Sequence, residues 1–209
     1  MIFQDRIDAG IRLAKHLQHY KNHKNTLILA LPRGGVPVAY EVSRALSLPL
    51  DIFIVRKLGL PWHEELAMGA IASGGVTVFN EEVLRLSDIT DSQIEMVKEK
   101  ELAELERRKK KYRGDRPFPD LKDKTIILVD DGIATGATMR AAITALKKLD
   151  VKTLVVAIPV APLDTCRELE TLVDQFIVLE TPEPFNAIGL WYKNFSQTSD
   201  DEVIALLNP

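Results

Sequence analysis

Two adjacent acids stand at the end of an apolar run, in the segment ILVDDGIATGAT from Ile127 to Thr138. As carboxylates, Asp130 and Asp131 would repel each other, and a strand that only packs has little use for them. Hydrogen bonds, a cation or the hydroxyl groups of a ligand would offset this repulsion. The segment therefore indicates chemistry at the end of a strand, which is where open α/β sheets bind their ligands.

The loop after the two acids consists of small residues and threonines. Gly132 and Gly136 permit backbone conformations and close approaches that a Cβ atom would forbid. Exposed N–H groups at the start of the following helix form an anion site, and the hydroxyls of Thr135 and Thr138 add donors for phosphate oxygens. The acids would repel a phosphate, but they accept hydrogen bonds from sugar hydroxyls or help to hold a hydrated Mg²⁺. Together, the acids and the loop indicate a phosphorylated sugar.

The segment closely resembles the phosphoribosyl-pyrophosphate signature of type I phosphoribosyltransferases, in which two acids precede a Gly/Thr loop. A P-loop would require a lysine in this loop, and a dinucleotide fingerprint would require a different glycine spacing. The resemblance implies that Asp130 and Asp131 take the ribose 2′- and 3′-hydroxyls and orient Mg²⁺ indirectly, through those hydroxyls or water. It also implies a site for the 5′-phosphate made by Gly132, Ile133, Ala134, Thr135, Gly136, Ala137 and Thr138.

A second motif, LALPRGGVPVA from Leu29 to Ala39, resembles the loop that binds diphosphate in the same family. Arg33 offers a guanidinium to the diphosphate, and Gly34 and Gly35 let backbone amides face it. In the family this loop often contains a cis or strained peptide. The alternative is an ordinary strand-to-helix turn with Pro37 in the first turn of the helix.

A third motif is the tripeptide VRK from Val55 to Lys57, which follows a strand. Several family members keep basic residues there, so the resemblance implies that Lys57 contacts the diphosphate, with Arg56 as a second candidate. Together with Asp130, Asp131 and Arg33, Lys57 completes the predicted catalytic set. The alternative is a pair of solvated charges at a strand end. The stretch 58–76 corresponds to the flexible loop that closes over the site in the family.

The C-terminal segment PFNAIGLWYKNF resembles the hood of purine-type members, where aromatic residues frame the base. A flat heterocycle can stack on such side chains. The predicted base contacts are Phe185, Ile188 and Trp191, and the alternative is packing of these residues onto the domain. Hypoxanthine-guanine members carry an Asp at the position of Ala134, whereas adenine-specific members tolerate Ala, so the resemblance leaves the base unassigned.

Alternating strand and helix patterns must position these loops. They predict an α/β fold with a doubly wound parallel sheet. In the segment from Lys57 to Asn80, only VTVF is typical of a strand, and a long charged helix is predicted after it. We expect a single domain over 1–209, with a flexible loop and helical insertion at 57–124 and a hood at 183–209. The predicted strands are Asn25–Leu31, Leu50–Val55, Thr125–Val129, Thr153–Ala161 and Gln175–Glu180.

Bulk properties agree with this interpretation. The 209 residues include 46% hydrophobic and 27% charged residues, which suits one domain with a real core. The formal net charge of -3 gives no reason to expect a nucleic-acid surface. Cys166 is the only cysteine and is expected to be a packing group. No apolar run approaches the roughly 20 residues of a membrane span, so we expect a cytoplasmic protein with no membrane partner.

The resemblance implies a Mg²⁺-dependent phosphoribosyltransferase of nucleotide metabolism. Its substrates would be phosphoribosyl pyrophosphate and a nitrogenous base, and its assembly a homodimer. One rival is a regulator of the same fold that senses the ligand without reacting. A second rival is a phosphatase or hydrolase, but the sequence shows no Ser-His-Asp order, Cys-His pair or metal cluster to support it.

Overall fold

Strands and helices alternate along most of the chain, except between Leu50 and Arg113, where four strands precede two helices. The structure is a computed structural model, and it describes residues 3–208. The strands are β1 (Thr26–Ala30), β2 (Leu50–Ile52), β3 (Val55–Leu60), β4 (His63–Ala72), β5 (Val76–Phe79), β6 (Thr125–Val129), β7 (Thr153–Val160) and β8 (Gln175–Glu180). The helices are α1 (Arg6–His16), α2 (Gly35–Leu46), α3 (Glu81–Leu86), α4 (Asp91–Arg113), α5 (Ala137–Lys147), α6 (Leu163–Glu170) and α7 (Asp200–Leu207).

Five strands form a parallel sheet in the order β2-β1-β6-β7-β8. From β1 the chain moves outward through α2 to β2, and from β6 it moves the opposite way through α5 to β7. The order therefore reverses between β1 and β6, where Ala30 is in register with Val129. A crevice forms beyond the carboxyl ends of two such strands, and ligands of doubly wound folds bind in it.

The central strands are buried on both faces, which explains their continuous apolar sequences. In β1, Ile28 and Ala30 face a core layer shared with α1, α2 and α7, whereas Leu27 and Leu29 face a layer shared with α5 and α6. The prediction of an α/β fold with a doubly wound parallel sheet is confirmed.

A second sheet replaces the irregular segment that the sequence predicted between Lys57 and Asn80. Strands β3, β4 and β5 form an antiparallel sheet, and Pro61 and Trp62 make the turn between the first two. The expectation that only VTVF forms a strand was wrong. The first half of β4 is exposed, and the β3–β4 register shifts around Gly59, so neither strand shows regular apolar alternation.

The long charged helix is present as α4. A capping box between Thr90 and Gln93 begins it, and the helix ends at Gly114, whose φ is +60°. Glu104 accepts hydrogen bonds from Arg107 and Arg108, one turn away along the same surface. The charged face of the helix therefore lies in solvent and is laced with ion pairs three or four residues apart.

Cys166 is buried in the core layer that contains α5 and α6. Burial, with the charge of Glu170 as a smaller contribution, raises the pKa of the Cys166 thiol to about 11, as suits a packing group.

Within residues 3–208, no helix combines the length and the apolar character that crossing a bilayer requires.

Candidate active site

The loops after β1 and β6 lie in direct contact at the point where the strand order reverses. The N–H of Leu31 donates to the carbonyl of Val129 at 2.9 Å. A Cβ atom at Gly34 would lie 2.0 Å from the Asp131 carboxylate, and one at Gly35 would lie 2.8 Å from the Val129 carbonyl. Glycine is therefore required at both positions, and the predicted diphosphate loop adjoins the predicted ribose acids.

The residues after β6 line a pocket of about 220 Å³ together with Ile188. Gly136 begins helix α5 with a φ of +77°, a conformation that favours glycine. Thr135 and Thr138 are exposed, as a role in phosphate binding requires. The pocket includes the whole run predicted to bind phosphoribosyl pyrophosphate after β6: Asp130, Asp131, Gly132, Ile133, Ala134, Thr135, Gly136, Ala137 and Thr138.

The helices that begin at these two loops differ from most of the others in having no side-chain cap. Side chains of Asp5, Asn80, Thr90 and Ser199 cap α1, α3, α4 and α7. Among the residues that the structure describes, no side chain caps α2 or α5, and neither has an acid in its first turn. The N–H groups in the first turn of α5 have no intrahelical acceptor, so this helix end favours an anionic ligand. In α2 the N–H groups of Gly35 and Val36 donate to carbonyls of the loop and Pro37 has no N–H, so α2 favours an anion through its dipole.

The diphosphate loop contains a cis peptide bond between Pro32 and Arg33, in line with the expectation from the resemblance. The N–H of Gly35 donates to the carbonyl of Leu31 at 3.1 Å, and the N–H of Val36 donates to that of Arg33 at 3.1 Å. The Gly35 amide therefore closes the turn of the loop itself.

The two acids differ in their surroundings. Asp131 is 8% exposed and receives a hydrogen bond from Arg6 Nε at 2.8 Å. Burial raises the pKa of Asp131, and Arg6 opposes the rise. Asp130 keeps some exposed surface, but its carboxylate lies deep in the protein. Burial raises the pKa of Asp130 well above its usual range, and the charge of Asp131 raises it further. The charge of Asp131 is therefore partly balanced by Arg6, whereas burial and the neighbouring Asp131 disfavour ionisation of Asp130.

Arg6 and Tyr192 fix Asp131 from opposite ends of the chain. The Arg6 guanidinium also donates to the Ser196 carbonyl at 2.7 Å and lies 3.9 Å from the centre of the Phe195 ring. The Tyr192 hydroxyl donates to the Asp131 carbonyl oxygen at 2.6 Å. Sequence analysis missed Arg6 and Tyr192 because no local pattern connects them to Asp131.

A polar cluster forms beside Arg33. Arg33 Nη1 lies 3.7 Å from an oxygen of Asp200, in the first turn of α7. Lys111 and Tyr112, at the end of α4, each donate to the same carboxylate at 2.5 Å. These two hydrogen bonds and the nearby cations lower the pKa of Asp200 to about 2. Burial and the hydrogen bond to Asp200 raise the pKa of Tyr112 to about 12.

Lys57 lies apart from these residues. It is exposed on β3 and lines a different pocket of about 430 Å³, together with Glu64 and Lys100. Arg56 donates to Glu101 on α4 at 2.7 Å. The structure thus brings Arg33, Gly34 and Gly35 to the acids, whereas Lys57 is not among the residues that line the pocket there. The contact of Lys57 with diphosphate stays a prediction.

Of the predicted base contacts, only Ile188 lines the pocket at the acids. Its Cγ2 atom would lie 2.6 Å from a Cβ atom at Gly132. Phe185 and Trp191 pack with Ile188 against a small apolar cluster that contains Phe3. Packing of aromatic residues onto the domain, the alternative for this segment, therefore accounts for much of the hood.

The donor set has the composition that an indirectly held Mg²⁺ requires. Among the described residues, no group of three or more metal-ligating side chains is found. Mg²⁺ is commonly bound by one or two carboxylates together with substrate phosphates and water. Asp130 and Asp131, next to a loop suited to diphosphate, fit this arrangement.

Comparison with solved structures supports the fold. The crystal structure of TT1426 from Thermus thermophilus is 38% identical, with a TM-score of 0.88 over 99% of this chain and 98% of that chain. A hypoxanthine-guanine phosphoribosyltransferase from Bacillus anthracis is 13% identical, with a TM-score of 0.50 over 88% of this chain and 83% of that chain. At that identity the second likeness concerns the fold alone.

Comparison with curated sequences and family models supports the family. Two Mycobacterium tuberculosis proteins, each named "Putative phosphoribosyl transferase", are 44% identical over 207 residues, which is 99% of this chain. The chain spans 46% of the length of these relatives. The model of the phosphoribosyl transferase domain matches residues 2–187. The chain therefore belongs to the phosphoribosyl transferase domain family.

Proposed function

We propose that the protein transfers the 5-phosphoribosyl group from phosphoribosyl pyrophosphate to a nitrogenous base and releases diphosphate. The observation that carries this proposal is that two helix N-termini without side-chain caps meet a carboxylate pair at the reversal point of the sheet. Anion sites beside sugar-binding acids fit a ribose that carries phosphates at both ends.

Each part of the donor has a matching group in this proposal. The residues Gly132 to Thr138 and the start of α5 receive the 5′-phosphate, and Asp130 and Asp131 receive the ribose hydroxyls. Arg33 and Gly34, at the start of α2, receive the diphosphate. Mg²⁺ would be held by the two acids and the donor oxygens, and it would supply positive charge for the diphosphate.

The reaction breaks the bond between ribose C1 and the diphosphate oxygen and forms a bond between C1 and a nitrogen of the base. The diphosphate leaves with the electron pair, and the attacking nitrogen loses its proton. Positive charge on the ribose and negative charge on the diphosphate develop together. Fixed charges and the N-terminal ends of α2 and α5 near these groups would therefore provide most of the rate acceleration.

Calorimetric titration with phosphoribosyl pyrophosphate, with and without Mg²⁺, tests the proposal. Wild type should bind the donor in a Mg²⁺-dependent manner, and the double variant Asp130→Asn/Asp131→Asn should lose that binding while remaining folded. A screen of bases for diphosphate release would then identify the acceptor. Absence of donor binding by folded wild type would overturn the proposal. Donor binding without release by any base would favour a ligand-sensing regulator of the same fold.

A further inference from the structure

Lys111 and Asp200 stand next to the proposed diphosphate site although they belong to neither of its loops. Lys111 lies at the end of α4 and Asp200 at the start of α7. Lys111 and Arg33 both lie close to the carboxylate of Asp200. The three side chains help to line a shallow pocket of about 330 Å³, with Gln197 and Thr198. Of the basic residues at the end of α4, Lys111 therefore lies next to the proposed diphosphate site.

Two cations share one acid at this position. Lys111 Nζ contacts one oxygen of Asp200, while Arg33 Nη1 lies 3.7 Å from the other. The Lys111, Arg33 and Asp200 side chains are 41%, 34% and 29% exposed, so solvent and a ligand can reach them. A carboxylate with one negative charge matches these two cations less well than a diphosphate does.

We propose that Lys111 is a diphosphate-binding residue and that Asp200 takes the place of the diphosphate when the donor is absent. This inference rests on the proposed function. The diphosphate displaces the Asp200 carboxylate from Arg33 and Lys111, and the flexible Lys111 side chain turns to it as a mobile point charge. The Tyr112 hydroxyl continues to hold Asp200 on the α7 side of the cluster. In this arrangement Lys111 supplies the second cation that the sequence assigned to Lys57.

Calorimetric binding of three probes to three variants tests the assignment. The probes are phosphoribosyl pyrophosphate with Mg²⁺, diphosphate with Mg²⁺, and ribose 5-phosphate, which lacks the diphosphate. We expect Lys111→Gln to weaken the first two about tenfold, as loss of one charge-assisted hydrogen bond does, and to leave ribose 5-phosphate within about twofold. We expect Asp200→Asn to bind the first two probes about fivefold more tightly, because an uncharged amide competes less well than a carboxylate for Arg33 and Lys111.

The double variant Lys111→Gln/Asp200→Asn separates direct contact from competition. If Lys111 touches the diphosphate, the double variant binds it about tenfold more weakly than Asp200→Asn does. If Lys111 only restrains Asp200, the double variant and Asp200→Asn bind diphosphate equally, and the assignment of Lys111 is overturned. Lys110→Gln and Glu202→Gln, at exposed residues of the same two helices that do not line this pocket, serve as matched controls and should bind all three probes as wild type does.

The outcomes keep this inference distinct from the proposed function. If folded wild type binds none of the three probes, the proposed function fails and the inference fails with it. If wild type binds the donor and both single variants match it, the inference alone fails. Weakened binding of ribose 5-phosphate by Lys111→Gln would also contradict it, because that probe has no group for Lys111 to contact.

Discussion

Arg6 Nε lies 2.8 Å from a carboxylate oxygen of Asp131, and both side chains are 12% exposed. The two residues are 125 positions apart in the chain, and their pairing ties helix α1 to the loop after β6. Removal of one partner of such a buried pair leaves the other charge without compensation. The pair therefore links the stability of the fold to the state of the candidate active site.

Replacement of Arg6 should cost more stability than replacement of an exposed arginine. We expect Arg6→Gln to lower the free energy of unfolding at pH 7 by about 2–3 kcal/mol, because Asp131 loses a charged partner. Arg167→Gln, at an exposed pair with Asp164, should change it by less than about 0.5 kcal/mol. Urea unfolding monitored by circular dichroism measures both values. Equal effects of the two substitutions would contradict the assigned importance of the Arg6–Asp131 pair.

Asp130 should make the protein less stable as the pH rises. Its pKa is raised in the folded state, so the unfolded chain releases a proton, above its usual pKa of 3.8, that the folded chain retains. Stability therefore falls with rising pH between 3.8 and the folded pKa, by at most about 1.4 kcal/mol per pH unit. An asparagine side chain does not titrate, so the unfolding free energy of Asp130→Asn relative to wild type should rise between about pH 4 and pH 7.

Urea unfolding at three pH values in this window measures the difference for Asp130→Asn. The same variant should bind phosphoribosyl pyrophosphate more weakly, because the amide is a poorer partner for the ribose hydroxyls and for Mg²⁺. A stability difference that is constant across the window, or that falls as the pH rises, would show that Asp130 is ionised in the folded protein.

Gly34→Ala should damage the site through a steric clash. The added methyl group would lie 2.0 Å from the Asp131 carboxylate, so the loop or the acid must move. We expect a loss of about 1–3 kcal/mol in the free energy of unfolding and a loss of donor binding. Gly75→Ala is the control, since its methyl group would meet no atom of the described residues within 4 Å. Its positive φ should cost about 1–2 kcal/mol without an effect on donor binding. Wild-type donor affinity in Gly34→Ala would argue against the contact.

Thr138→Val should weaken phosphate binding without a change in stability. The hydroxyl is exposed in the first turn of α5, where it can donate to a phosphate oxygen. We expect ribose 5-phosphate to bind about tenfold more weakly, which corresponds to one hydrogen bond of about 1.4 kcal/mol. Thr144→Val, on the same helix, removes a hydroxyl that donates to the Arg140 carbonyl and should leave binding unchanged. Calorimetry on the two variants makes the comparison.

Local signals predicted much of the fold and the two loops of the site. The buried parallel strands have continuous apolar sequences, and the acids and glycines occur in short contiguous motifs. Both features are formed by residues close together in the chain, so they can be recognised in a single sequence. The predicted boundaries of β6 and β8 agree with the structure residue for residue.

Contacts between distant segments account for what the sequence did not reveal. Tertiary packing brings four residues from distant segments to the site or its edge, and no local sequence pattern distinguishes them. They are Arg6, Tyr192, Lys111 and Asp200. Helix α7 was also missed, because its acidic first turn follows a polar segment without clear periodicity. Strands β3 and β4 were missed because packing against α4 and α5, rather than alternation, stabilises them.

The bridge between Phe3 and Tyr192 has a consequence for how the protein folds. The N–H of Phe3 donates to the Trp191 carbonyl, and the N–H of Lys193 donates to the Phe3 carbonyl, both at 2.8 Å. Closing the loop between residues 3 and 192 is slow compared with the pairing of adjacent strands. The central sheet can therefore form before the ion pair between Arg6 and Asp131 does. During refolding, sheet structure should return first and donor binding last.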